Sequence, residues 1–359
     1  MRIACGVCSI GLGHATRTLP IIRWLLDEGH EVDIISHGRA LELLKRELEE
    51  HGKNVGFVDL PDYPLRYPEH REEFFPRVVL GLPRMASSLI EEHRRYLALH
   101  RKNHYRLVLS DNRYGVFEAH TPSFLITHQL RILNPWRVRL LEELTQVYTA
   151  FIAKYFTGVL VPDFEERGMT GIMSHDLRFV PRDKVFYIGP ITSLRRRDVA
   201  EDVDLFITIS GPEPQRTIFE RMVLSQLDDL DGLNYYVSLG VPGGRGDGER
   251  VLSYLSTEER ETLMSRSRVV LSRSGYSTVM DLFFLGKRAF LVPTPGQPEQ
   301  EYIAHVLDRR GWAHTQDQEH LRLREGYETA LRTHGFPRHG WTMEDTIQRV
   351  KEIVGEHLE

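Results

Sequence analysis

Residues 268–281 read Arg268-Val269-Val270-Leu271-Ser272-Arg273-Ser274-Gly275-Tyr276-Ser277-Thr278-Val279-Met280-Asp281. The apolar start is a buried strand, the Ser-Gly stretch a loop, and Ser277 onward the opening of a helix that continues through Leu282-Phe283-Phe284-Leu285 to Gly286. A second strand, 289–292, follows at once, and then the polar loop Gly296-Gln297-Pro298-Glu299-Gln300-Glu301. Strand, Gly-containing loop, helix, strand is the unit of a parallel sheet.

The same alternation extends both ways. Strands are expected at 3–7, 32–36, 55–60, 106–110, 123–127, 158–161 and 185–188, with helices at 18–28, 41–51, 77–102 and 137–155. Gly189-Pro190 and the basic run Arg195-Arg196-Arg197 interrupt the pattern as a linker. It then restarts with strands at 205–210, 235–239, 268–271 and 289–292, and helices near 215–227, 257–265, 277–285 and 299–309. Residues 343–358 form one last amphipathic helix. The expected fold class is α/β: two doubly wound Rossmann-like domains, 1–194 and 195–342, facing a central cleft, with 343–359 as a helix able to cross back to the first. In such sheets ligands bind at the carboxyl ends of the strands.

The composition fits two soluble cores. The chain has 359 residues, 41% of them hydrophobic, and a net charge of −5, which gives no bulk attraction to nucleic acid. Residues 1–200 carry 28 Lys and Arg against 25 Asp and Glu, whereas the remainder carries 18 against 26. The N-terminal half therefore suits an anionic partner better. Two cysteines, Cys5 and Cys8, lie in the first apolar strand; no further cysteine completes a zinc site, and they read as small core residues. No run approaches 18 apolar residues, and the start lacks the pattern of a signal peptide, so a cytoplasmic protein without a membrane span is expected.

Five segments carry polar chemistry at predicted strand ends. In 9–17, Gly11 and Gly13 allow a tight turn and His14 stands where the loop enters a helix. In 209–217, Gly211 allows close approach and Arg216 offers a cation to a diphosphate, although two prolines remove N–H donors. In the opening stretch Ser274, Gly275, Ser277 and Thr278 supply hydroxyls and amides to an anion at a helix N-terminus, and Asp281 an acceptor for hydroxyls. Gln297, Glu299, Gln300 and Glu301 add further polar groups. In the first half, Asp111 and Arg113 follow one strand and His128 another; His14, Asp111 and His128 all stand as candidate bases. Finally, 74–95 mixes apolar and basic residues, with eight basic against four acidic between Arg71 and Arg106, as a membrane surface or a lipid-linked ligand would require. No metal motif is present, and no cofactor or metal is expected.

These segments resemble the GT-B glycosyltransferases of family 28, of the MurG kind. The Gly11-Leu12-Gly13-His14 loop is similar to that family's N-terminal Gly-rich loop. Ser272-Arg273-Ser274-Gly275 through Thr278 and Asp281 is similar to its donor motif, with Asp281 where the family has a ribose-binding Glu. Val292-Pro293 followed by Gln300-Glu301 resembles its paired-glutamine segment, with Glu301 replacing one glutamine. The resemblance implies a nucleotide-diphosphate sugar donor, usually a uridine one, on the C-terminal domain. It places an acceptor on the N-terminal domain and implies inverting, metal-independent transfer. A lipid-linked acceptor and a peripheral membrane location are the accompanying expectations. The form Gly11-x-Gly13-His14-x-x-Arg17 also resembles nucleotide-sugar hydrolases of this fold, and a non-catalytic sugar-nucleotide binder stays open beside them.

Overall fold

The computed structural model describes residues 1–61, 63, 73–166, 168–241, 246 and 248–358. The chain forms two compact units. One holds the described residues of Met1–Arg66, Pro76–Ile191 and Thr342–Glu359; the other is built on Thr192–Trp341.

In the first unit the strands are β1 (Arg2–Val7), β2 (Glu31–Ser36), β3 (Val55–Asp59), β4 (Leu107–Asp111), β5 (Ser123–Ile126), β6 (Gly158–Val161) and β7 (Val185–Tyr187). They form one sheet in the order β3-β2-β1-β4-β5-β6-β7, every pair parallel. The Val, Ile and Leu runs of the inner strands suit burial on both faces. The crossovers put α1 (Gly13–Asp27) and α2 (Gly38–Glu47) on one face, and α3 (Phe74–Asn103) and α4 (Arg139–Ala153) on the other. Alternate side chains follow that division. Ile3, Cys5, Leu107, Leu109 and Phe124 pack under α1. Ala4 and Val108 pack with Tyr96 of α3, while Leu125 and Val159 pack with Ile152 of α4.

The final helix, α10 (Met343–Val354), belongs to this unit. Val350 and Val354 are fully buried in the α1 layer. Thr342 and Asp345 form a capping box, Thr346 Oγ1 donates to Pro190 O at 2.9 Å, and Lys351 pairs with Glu28 at 2.8 Å.

In the second unit, β8 (Val203–Thr208), β9 (Tyr235–Ser238), β10 (Val251–Leu252), β11 (Ser267–Ser272), β12 (Arg288–Leu291) and β13 (Ala313–Thr315) form a parallel sheet in the order β10-β9-β8-β11-β12-β13. Its helices are α5 (Gln215–Leu224), α6 (Thr257–Arg266), α7 (Tyr276–Leu285), α8 (Pro298–Arg309) and α9 (Leu323–Ala330). Leu205, Ile207, Phe219, Val269, Leu271 and Phe290 head its core.

Each sheet has one place where the chain reverses its direction of strand addition: between β1 and β4 in the first, and between β8 and β11 in the second. A doubly wound sheet opens a crevice at the carboxyl end of such a pair. Cys5 and Cys8 are buried and unbridged, and burial pushes the Cys5 thiol up to about 12, so it stays protonated. No helix of the described residues is long and apolar enough to cross a membrane.

Candidate functional site

At the reversal in the first sheet, Val7 of β1 stands beside Asp111 of β4, and Cys8 N donates to Asp111 O at 3.0 Å. This tie sets the loop after β1 over the end of β4. Gly11 turns the loop with φ +85°, a conformation that side chains disfavour. The loop then enters α1 at Gly13, where Leu12 supplies no side-chain cap, and His14 falls in the first turn.

Asp111 is completely buried and gathers donors from α1. Its Oδ1 accepts from His14 Nδ1 at 3.0 Å and from Arg17 Nη2; its Oδ2 accepts from Arg17 Nε at 2.8 Å and Thr18 Oγ1 at 2.6 Å. Burial alone pushes this carboxyl up, but the charges and hydrogen bonds of Arg17 and His14 outweigh it and hold it well below the usual carboxylate range. Asp111 is therefore a carboxylate at neutral pH, and His14 must donate to it through Nδ1–H. That fixes the tautomer and leaves the lone pair on Nε2. With four bonds and no exposure, Asp111 orients; a partly exposed His14 can take a proton. Arg17 Nη1 also lies 3.2 Å from His128 Nδ1. An arginine only donates, so His128 Nδ1 is an acceptor there, and the ring is 4% exposed.

Arg113, expected in this group, is turned away from it. Its side chain is fully buried, with Nε donating to Glu92 Oε1 at 2.6 Å and Nη2 to the carbonyls of Leu60 and Pro61 at 2.9 and 3.1 Å. Glu92 also accepts from Gly115 N at 2.8 Å. The pair ties α3 to the loops after β3 and β4; Glu92 balances the charge of Arg113, whose buried Nη1 has no hydrogen-bond partner.

In the second unit, the loop after β8 lies beside the loop after β11 because Ile207 and Leu271 are paired neighbours. Gly211 has φ +116°. A Cβ there would stand 3.9 Å from Arg273 Nε and 4.0 Å from Thr294 Oγ1. Arg273 and Thr294 are 2% and 0% exposed, and neither of those two atoms has a hydrogen-bond partner. Among the described residues the rest of the Arg273 guanidinium meets neutral groups: the carbonyls of Val292, Pro293 and Gln215, the side chain of Gln318, and the ring of Phe219 at 4.1 Å. Burial pushes Arg273 down to about 9, still a cation at neutral pH. Among the described residues no carboxylate pairs with this buried cation, and its orphaned N–H beside a side-chain-free glycine fits an anion.

The adjoining N-terminus of α7 fits the same chemistry. Its N-cap is Gly275, with no side-chain cap, so Ser277 lies inside the first turn and is not the cap. Ser277 and Thr278 are partly exposed there, on free N–H groups at the positive end of the helix.

Other expected contributors are occupied. Arg216 is held by Glu213 at 2.6 Å and by Glu220, with a further bond to Leu239 O at 3.2 Å. Two carboxylates more than cancel its charge, so it is no free cation for a diphosphate. Ser274 is fully buried and donates to Gln300 O at 2.8 Å, and Gln300 Oε1 accepts from Thr294 N at 2.9 Å. These two residues fasten α8 to the loops around α7. Glu301 accepts from Gly296 N at 3.0 Å and shapes its own loop. Gln297 is the N-cap of α8, and Glu299 lies in that helix's first turn. Asp281 is 6% exposed, accepting from Thr192 Oγ1 at 2.6 Å and pairing with Arg260 at 3.0 Å. Burial pushes this carboxyl up, against the opposing pull of Arg260.

The sequence placed Arg17 and Arg273 within motifs but gave them no individual role, and it passed over Thr18 and Thr294. Arg17 and Thr18 recur one helical turn after His14, on the same side of α1, and that spacing was the available signal. Arg273 directly follows a strand end, but nothing in a sequence shows that no acid will meet it.

A model described as the glycosyltransferase family 28 C-terminal domain matches residues 248–333, and one described as glycosyl transferase family 1 matches residues 1–134. An uncharacterized glycosyltransferase of Methanosarcina acetivorans is 25% identical over 346 positions, covering 87% of this chain and 84% of the relative. One from Methanosarcina mazei is 24% identical over 341, with the same coverage. Among solved structures, the kitacinnamycin glycotransferase superposes with TM-score 0.66 at 13% identity, covering 100% of this chain and 99% of that one. The spinosyn rhamnosyltransferase complexed with thymidine diphosphate gives 0.63 at 13%, over 99% and 96%. MurG of Acinetobacter baumannii gives 0.55 at 14%, over 99% and 100%. The two doubly wound sheets are thus those of the GT-B fold, and the chain is a glycosyltransferase, family 28-like in its second unit.

Proposed function

We propose that the chain transfers a sugar from a nucleoside-diphosphate donor to an acceptor hydroxyl, with His14 as general base. The observation that carries the reading is the His14–Asp111 pair, which leaves a basic nitrogen in the first turn of α1. In the proposed reaction His14 Nε2 removes the hydroxyl proton as that oxygen forms its bond to the anomeric carbon. The bond from that carbon to the diphosphate breaks, and its electron pair leaves on the diphosphate oxygen. One displacement inverts the anomeric centre. The N–H groups opening α7 and the Arg273 cation meet the leaving charge, so the reading needs no metal. Asp111 holds the ring and compensates the imidazolium that forms.

A uridine or thymidine diphosphate sugar is the proposed donor class, and Asp281 remains the proposed ribose contact, sharing its oxygens with Thr192 and Arg260. The acceptor is taken to be lipid-linked and the protein to work peripherally at the cytoplasmic face of a membrane. Helix α4 buries Glu142, Gln146 and Thr149 and turns Leu140, Leu144, Val147 and Phe151 outward, and that exposed apolar stripe supports this part.

The test is a thermal-shift panel of nucleoside diphosphates, followed by nucleotide-sugar turnover with and without hydroxyl acceptors. A raised melting temperature with a uridine or thymidine diphosphate, and diphosphate release that depends on acceptor, is expected. Release that needs only water makes the protein a nucleotide-sugar hydrolase, and binding without turnover makes it a sugar-nucleotide binder.

A further inference from the structure

One guanidinium reaches both histidines at the strand ends of the first unit. Arg17, 2% exposed, spans the two oxygens of Asp111 with Nε and Nη2, and its Nη1 lies 3.2 Å from His128 Nδ1. It thus touches His128 directly and His14 through the shared carboxylate. His128 follows β5, the neighbour of β4, so the sheet itself brings the two rings to one cation. The proposed transfer step uses neither Arg17 nor His128.

The charge count gives Arg17 its role. Among the described residues, the titratable groups around the carboxylate are His14 and Arg17 of α1, Cys8 after β1, Tyr114 after β4 and His128 after β5. Burial pushes the Tyr114 hydroxyl up, so it stays neutral. With both rings neutral, the Asp111 carboxylate and the Arg17 guanidinium cancel. A carboxylate beside a lone imidazole strengthens the ring's hold on a proton, because the resulting ion pair is neutral overall. Here Arg17 already fills that place. A proton on His14 would leave one positive charge uncompensated beside a carboxylate with no exposure. The Arg17 charge is also the largest pull that opposes burial at Asp111. At His128 the reason is geometric. Arg17 Nη1 only donates, so Nδ1 offers its lone pair, and a neutral ring carries its proton on Nε2.

From this we propose that Arg17 is a positioning residue for the transfer: it keeps the His14 ring free of its proton before the acceptor arrives, and it locks His128 as the Nε2–H tautomer. Both roles rest on His14 as the base, since a general base must enter the step unprotonated. Lysine would carry the charge, but a point charge on a flexible stem cannot hold two carboxylate oxygens and a ring nitrogen as the planar fork does. Arg17→Gln removes charge and fork together, and Arg17→Lys removes the fork alone.

The experiment is NMR of the histidine rings in the full chain, titrated with pH for wild type, Arg17→Gln, Arg17→Lys and Thr18→Val, with each variant checked by thermal melting for a folded state. In Arg17→Gln, His14 should keep its proton to a pH about one unit higher than in wild type. Arg17→Lys should leave the His14 titration in place, while His128 loses its single tautomer. Thr18→Val loosens the same carboxylate without removing a charge and should also leave the His14 titration in place. Wild-type His128 should carry its proton on Nε2 at neutral pH. A His14 titration that folded Arg17→Gln leaves unmoved, or that Thr18→Val moves equally, reduces Arg17 to a fastener of α1 and overturns the proposal. So does a proton on Nδ1 of wild-type His128, a result that needs no variant to fold. The titrations are read without substrate, so they stand apart from the transfer reading, which fails if folded His14→Ala transfers sugar at the wild-type rate.

Discussion

His14 Nδ1 lies 3.0 Å from Asp111 Oδ1, across 97 residues of sequence. The loop after β1 and the end of β4 are brought together at the reversal of strand order, so the pair depends on the doubly wound topology itself. Arg17 and Thr18 complete the shell around the carboxylate, and with all four donors coming from α1 the helix is anchored on one buried charge.

Asp111→Asn should be costly for that reason. It leaves Arg17 buried without its counter-charge, and a loss of about 3–5 kcal/mol at neutral pH is expected. The sign with pH follows from the lowered value in the folded state. The stabilisation from Asp111 is fully present above the unfolded value of about 3.9 and is lost as pH falls through the folded one. Denaturant melts of wild type and variant should therefore differ by a constant amount above about pH 5 and converge in more acidic solution. A difference that grows toward low pH would contradict the assignment.

Much of this was legible in the sequence, and the omissions have physical causes. Of the thirteen strands among the described residues, all but β10 and β13 were readable; β10 has two residues, and β13, Ala313-His314-Thr315, has no apolar run to mark it. Helix α1 starts five residues before its apolar pattern because Gly13 to Arg17 is the polar turn that carries the chemistry. His14 and Asp111 were readable as candidates because each follows a strand. Which atom is basic was not, since that depends on four hydrogen bonds. Arg216 and Arg113 misled for one reason: a sequence shows a cation but hides the acids, Glu213, Glu220 and Glu92, that fold against it. Helix α4 was readable as amphipathic, but not which side faces in.

Gly211→Ala tests the anion site in the second unit. The new methyl would stand 3.9 Å from Arg273 Nε and 4.0 Å from Thr294 Oγ1, and the left-handed φ adds about 1–2 kcal/mol of strain. Nucleoside-diphosphate stabilisation in a thermal melt should largely vanish while the fold persists. Full retention would place the diphosphate elsewhere.

Arg216→Ala should do much less. Its charge is already balanced by Glu213 and Glu220, so diphosphate affinity by calorimetry should stay within about threefold of wild type. A loss of a hundredfold would mean that those ion pairs open to admit the ligand.

Arg113→Met should destabilise by about 3–5 kcal/mol, because it strands the Glu92 carboxylate in the interior. The double variant Arg113→Met/Glu92→Gln should recover part of that loss, read by denaturant titration. Equal or additive losses would show that the pair is not coupled.

The most direct test of the account is the rate of sugar transfer by His14→Ala at saturating donor, with donor affinity measured on the same preparation. Loss of the base predicts a fall of about 10²–10⁴-fold in kcat with donor binding unchanged. Transfer at the wild-type rate with donor still bound would remove His14 from the chemistry and contradict the mechanism.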